Sequence, residues 1–121
     1  MTDGAKALIK WLKANVVTAY QEPVSSSASL PYISLNYTEA PTNESSSQSL
    51  TIWTRNDSSY SEAYGYADKL SSLLGDQGVI ITNEDTKLYV SKGTPFVQNR
   101  LDDTETIRAV LVNVVVTNLN I

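Results

Sequence analysis

Two residue types are missing from this 121-residue chain altogether: it contains no cysteine and no histidine. Without cysteine there is no disulfide framework and no thiol chemistry. Without histidine the chain lacks the usual general base near neutral pH and the commonest metal ligand. Ser-His-Asp and Cys-His centres, and zinc sites of the ordinary kinds, cannot be built within one chain. Also missing are an apolar run of membrane-spanning length and an apolar N-terminal leader stretch, so the expectation is a soluble protein made in a cytoplasm, with no membrane partner. Basic charge is scarce: 9 Lys and Arg stand against 13 Asp and Glu, for a net charge of -4. Duplex DNA binders gain affinity by neutralising phosphates with a basic stripe. Here only Lys6, Lys10 and Lys13 group together, at the spacing of one solvated helix face.

What is present suits one ordinary domain. The apolar fraction is 41%, and the length is enough to bury a sheet-and-helix core. The spacing of Ala5, Leu8, Ile9, Trp11 and Leu12 predicts a helix from Asp3 to about Asn15, with Thr2 or Asp3 as its cap. Val16–Tyr20 is β-branched and leaves the helix extended. Leu30–Tyr37 and Ser49–Thr54 alternate as strands, and Pro31 is tolerable only near the first one's start or on an edge. Between them, Thr38–Gln48 reads as one long polar loop, of a length usually tied to function or disorder.

Ser59 and Glu62 have capping-box spacing for a second helix. Its apolar stripe is Ala63, Ala67, Leu70 and Leu74, with Tyr66 and Leu73 beside it, and Gly75 is its left-handed stop. Short strands follow at Val79–Ile81, Lys87–Val90 and Pro95–Gln98, with a turn at Asn83–Thr86. Glu105–Leu119 is the longest strand candidate. Val110, Val112, Val114 and Val116 share one face, while Leu111 and Val115 keep the other partly apolar, the pattern of a central or covered strand. The order predicts an α+β fold, a mostly antiparallel sheet with two main helices packed on one face, in a single domain spanning 1–121.

Few constellations carry chemistry. Asp102, Asp103 and Glu105 form the one tight carboxylate group, but the spacing and turn glycine of a calcium loop are missing, and a solvated turn explains them better. Asn56, Asp57 and Ser58 read as a turn leading into the second helix. The serine runs Ser25–Ser27 and Ser45–Ser47 have no Gly-x-Ser-x-Gly frame and no base beside them, so they read as flexible loop. Gly75-x-x-Gly78 lacks the Lys-Ser/Thr end of a phosphate loop. No catalytic residue, cofactor or metal site is expected. Tyr60, Tyr64 and Tyr66 crowd the start of the second helix and cannot all face one core. At least one is expected at the surface or against a partner, although Tyr64 packed on a neighbouring loop is the plainer alternative.

The arrangement resembles the tail terminator (tail completion, or head–tail joining) proteins of long-tailed bacteriophages. The matching features begin with the opening helix Ala7-Leu8-Ile9-Lys10-Trp11-Leu12 and the Pro-Tyr strand Leu30-Pro31-Tyr32-Ile33-Ser34-Leu35. After the polar loop come Leu50-Thr51-Ile52-Trp53-Thr54 and the helix Ala63-x-x-x-Ala67-Asp68-x-Leu70-x-x-Leu73-Leu74. Arg108 then leads the valine-rich strand Val110–Val116. The likeness spans nearly the whole chain and is one of order, length and pattern. It implies a structural virion protein, assembled in the host cytoplasm, whose hexameric ring caps the tail tube and stops its polymerisation. It implies contacts with further copies, the tail tube protein, the head or neck connector, and a tail sheath or sheath terminator. DNA passes through the channel only as non-specific cargo, and neither enzyme activity nor a cofactor is implied.

On this reading Trp53, Tyr60, Tyr64, Tyr66, Arg100 and Arg108 are candidates for the subunit or tube interface. Glu39, Thr42, Asn43, Glu44, Ser45, Ser46 and Ser47 form a loop facing the channel or tube, where Glu39 and Glu44 repel DNA phosphates. Deleting Thr42–Ser47 is expected to spare the monomer fold and impair capping. The alternatives are another neck or tail-tube component, a small metal-dependent enzyme using Asp102, Asp103 and Glu105, and a monomeric domain binding a peptide or sugar on Trp53 and Tyr60.

Overall fold

A computed structural model describes residues 2–55, 60–99 and 107–119. Among them the elements run α1 (Asp3–Asn15), β1 (Ala19–Gln21), β2 (Tyr32–Leu35), β3 (Ser45–Arg55), α2 (Ser61–Leu74), β4 (Val79–Asn83), β5 (Thr86–Asn99) and β6 (Ile107–Asn118). The chain has an α+β fold. One sheet runs in the order β1-β2-β3-β6-β5-β4, antiparallel throughout except for β1 beside β2.

α1 forms where its spacing predicts. Thr2 caps it, accepting the Ala5 N–H at 3.2 Å. Ala5, Ala7, Leu8, Ile9 and Leu12 are buried, while Lys6, Lys10 and Lys13 are exposed. α2 buries the expected Ala63, Ala67, Leu70 and Leu74, and Gly75 ends it at φ 59°. Its start differs from the capping-box reading. Tyr60 is the N-cap and makes no side-chain capping bond. Ser59 lies outside the described residues, as do Asn56, Asp57 and Ser58.

β6 is central, between β3 and β5, as its two-sided apolar pattern requires. β5 is nevertheless the longer strand, 14 residues against 12. The segments read as separate strands at Lys87–Val90 and Pro95–Gln98 join within it, because a register shift between Lys92 and Val97 absorbs the interruption. The turn Glu84–Asp85 closes the β4–β5 hairpin, with Glu84 at φ 56°. Pro31 precedes β2, where it removes no ladder bond, and β2 is an inner strand because β1 covers it.

Both helices serve the same face. α2 packs on β3, β5 and β6, at the middle of the sheet. α1 packs on β1, β4 and β5 and so touches both edge strands. One helix reaches opposite edges only because the sheet curls around it. The concave side holds the core: Ile33, Leu35, Leu50, Ile52, Val110, Val112, Val114 and Val116 are each at most 1% exposed. Register places Ser34, Thr51 and Leu111 together on the convex side.

Candidate functional site

The convex face carries a trough. Three adjoining hollows of about 520, 450 and 310 Å³ follow β2 and β3 from Arg55 and Leu30 at one end to Thr38 and Ser47 at the other. Tyr32 and Trp53 line the first two hollows, and Glu22 and Asn36 line the second and third, so the three are continuous. The trough exists because strand alternation puts Tyr32, Ser34 and Trp53 on one side. The segment leaving β1, with Glu22, Pro23 and Val24, forms its wall.

A hydrogen-bonded chain crosses its floor. Trp53 Nε1–H donates to Ser34 Oγ at 2.9 Å, and Ser34 O–H donates to Glu22 Oε1 at 3.3 Å. Ser34 is 2% exposed, so its hydroxyl needs these partners. Tyr20 meets Tyr32 edge-on at 5.5 Å between ring centres. Opposite charges mark the two ends of this stretch: Glu22 at one, Arg55 at the other, both exposed.

The interface candidates separate into two places. Trp53 lies on the convex side, paired in register with Tyr32 and Ala109. Tyr60, Tyr64 and Arg108 come together elsewhere. The Arg108 guanidinium lies 5.6 Å from the centre of the Tyr60 ring, and Tyr60 meets Tyr64 edge-on at 6.2 Å. Arg108 pairs with Thr54, the neighbour of Trp53, and so takes the opposite side of the sheet. Trp53 and Tyr60 therefore do not form one platform. All three tyrosines, including Tyr66, are half-buried, each packed in part against the core and in part open at the surface. Arg100, Asp102, Asp103 and Glu105 lie outside the described residues. Among the described residues no group of three acidic side chains is placed to hold a metal ion.

The polar loop is shorter than its composition indicates. Ser45, Ser46 and Ser47 belong to β3, in register with Thr117, Val116 and Val115 of β6. Serine runs read as loop, but here the partner strand supplies the apolar neighbours and the ladder, and Ser45 Oγ and Thr117 Oγ1 share a hydrogen bond at 2.7 Å. The remainder is tied down. Buried Gln48 accepts the Thr38 N–H at 2.8 Å and donates back to the Thr38 carbonyl at 2.7 Å. Asn118 donates its side-chain amide to the Ala40 carbonyl at 3.0 Å and accepts the Asn43 N–H at 2.6 Å. Asn43 turns the chain at φ 65°. Glu39, Thr42, Asn43 and Glu44 remain exposed on this pinned turn. A deletion of Thr42–Ser47 would thus remove three residues of β3, contrary to the expectation that it spares the fold.

Beside the loop, Tyr37 is half-buried, and its hydroxyl pKa is pushed up to about 12, first by burial and then by the charge of Glu39. The sequence reading missed the trough. Its one signal was the alternation of Tyr32, Ser34 and Trp53 on polar-faced strands, which says nothing of the wall that encloses them. No family model matches the chain, and no curated protein matches it in sequence.

Proposed function

We propose that this chain is a structural assembly protein whose copies close into a ring, in the manner of phage tail terminators. The observation that carries the reading is the convex face of the central strand β6, against which, among the described residues, neither helix packs. Leu111 and Val115 lie half-buried there among Ser47, Thr51 and Ser91, while both helices occupy the other side. A central strand that is apolar on both faces, with the helices on only one of them, is suited to a neighbouring subunit. Ring closure needs a heterologous contact, so a second and different patch must meet this face. The Tyr60–Tyr64–Arg108 cluster on the other side of the sheet is suited to that role, since Tyr and Arg are favoured at interfaces.

In this proposal the ring caps a tail tube and docks the head connector, and DNA passes through as cargo. The exposed Glu39 and Glu44 would keep phosphates from adhering to the pinned turn. Native mass spectrometry with negative-stain imaging tests the reading. The expected result is a discrete ring, alone or on added tail tubes. A strict monomer at high concentration that binds no tail tube overturns it.

A further inference from the structure

We infer that the stretch of the trough between Glu22 and Arg55 is a docking groove for an extended peptide segment of a protein partner, with a basic side chain at Glu22 and an acidic one at Arg55. The groove comprises the two hollows between Glu22 and Arg55, which one chain builds; the third hollow shares Ser47, Thr51 and Leu111 with the face proposed above for a neighbouring subunit and is not part of it. Shape comes first. The two hollows run along the strands rather than forming one round pocket, which suits a linear occupant. Charge comes second. Glu22 accepts from Ser34 with Oε1, and its Oε2 takes no hydrogen bond from the described residues. The N–H of Trp53 and the O–H of Ser34 are both directed along the floor toward this carboxylate. This end therefore presents a carboxylate oxygen beside the aromatic rings of Tyr32 and Trp53, which complement a cation. Arg55 gives the opposite end the opposite sign.

Spacing comes third. Glu22 bonds Ser34, which is in register with Thr51, and Arg55 lies four residues further along β3. At ~3.3 Å per residue that is roughly 13 Å. In an extended peptide, residues i, i+2 and i+4 face the same way over the same distance. A basic residue at i then meets Glu22, an apolar one at i+2 lies over Tyr32 and Trp53, and an acidic one at i+4 meets Arg55.

The test uses the full chain labelled with ¹⁵N and three synthetic peptides. The first is acetyl-Ala-Arg-Ala-Leu-Ala-Glu-Ala-amide, and the others carry Arg or Glu at both charged positions. The expected result is a saturable shift of the Trp53 indole N–H and of the Glu22 and Ser34 amides. The mixed-charge peptide should bind tighter than either like-charged peptide by about two- to fivefold, the range of an exposed ion pair. Glu22→Gln should remove the penalty of the Glu/Glu peptide, and Arg55→Gln that of the Arg/Arg peptide. Both positions are exposed, and unchanged thermal midpoints would confirm that the variants are folded. Equal binding of all three peptides, or no shift in the trough, overturns the inference. So does a linear oligosaccharide that moves these resonances when the peptides do not. A concentration-dependent shift of the same resonances without peptide would assign the groove to a second copy and also overturn it.

Discussion

Single side chains at the trough and the adjoining turn have separable roles. Trp53 Nε1–H satisfies the buried Ser34 hydroxyl, which passes the interaction on to Glu22. Trp53→Phe keeps an aromatic ring but removes the donor. It should cost about 1 kcal/mol in urea unfolding, the usual net value of one hydrogen bond. Tyr37 gives a pH signature. Its pKa is about 12 when folded, against 10.0 as the ordinary value, so the folded state holds the proton more tightly than the unfolded state. Its contribution to stability is fully present below the ordinary value and is lost as pH rises through the folded one. Spectrophotometric titration of the wild type should therefore show a late-ionising tyrosine that Tyr37→Phe removes. The variant should also lose less stability over that alkaline window. Asn43 sits at φ 65°, where a β-branched side chain is strained. Asn43→Ile should cost about 1–2 kcal/mol, whereas Asn43→Gly should stay within about 0.5 kcal/mol.

At the level of elements, β3 and β6 form the longest ladder, eleven paired positions from Ser45↔Thr117 to Arg55↔Ile107. Ser45–Ser47 contribute three of these pairs. A chain lacking Thr42–Ser47 should therefore show a clearly lowered urea midpoint, with amide exchange quickened at Val115–Thr117. A midpoint like that of the wild type would mean that this end of the ladder contributes nothing. The helices were legible beforehand because their signals are local. Thr2 caps three residues away, and the buried positions recur with helical period. The second helix start is less legible, because a capping box is a spacing that many loops share; Tyr60 occupies the cap without a side-chain bond, and Ser59 lies outside the described residues.

For the whole molecule, curl is the decisive property. α1 touches β1 and β4, the two edges, so the concave side is filled, and among the described residues no helix packs on the convex side. If copies assemble through that face, a charge placed there should disperse them. Val115→Glu is expected to give a folded monomer under conditions where the wild type forms a ring. Ring formation by the variant, with an unchanged thermal midpoint, would move the interface elsewhere. The interface residues named from the sequence illustrate the same point. Trp53 and Arg108 are on opposite sides of the sheet, because register pairs Arg108 with Thr54 rather than with Trp53.

Sequence alone determined the absence of cysteine and histidine, the two amphipathic helices with Thr2 and Gly75 at their ends, and the two-faced character of β6. Each follows from composition or from neighbours within one or two turns of chain. Tertiary structure decided that Ser45–Ser47 are strand, that β5 continues through its irregularity, and that Tyr32, Ser34, Trp53 and Glu22 share a trough. Those outcomes depend on pairing partners distant in the chain: Ser45 on Thr117, Trp53 on Ser34, Asn118 on Ala40. A polar strand is stabilised by the ladder and by the apolar side chains beside it. Neither is encoded in its own residues.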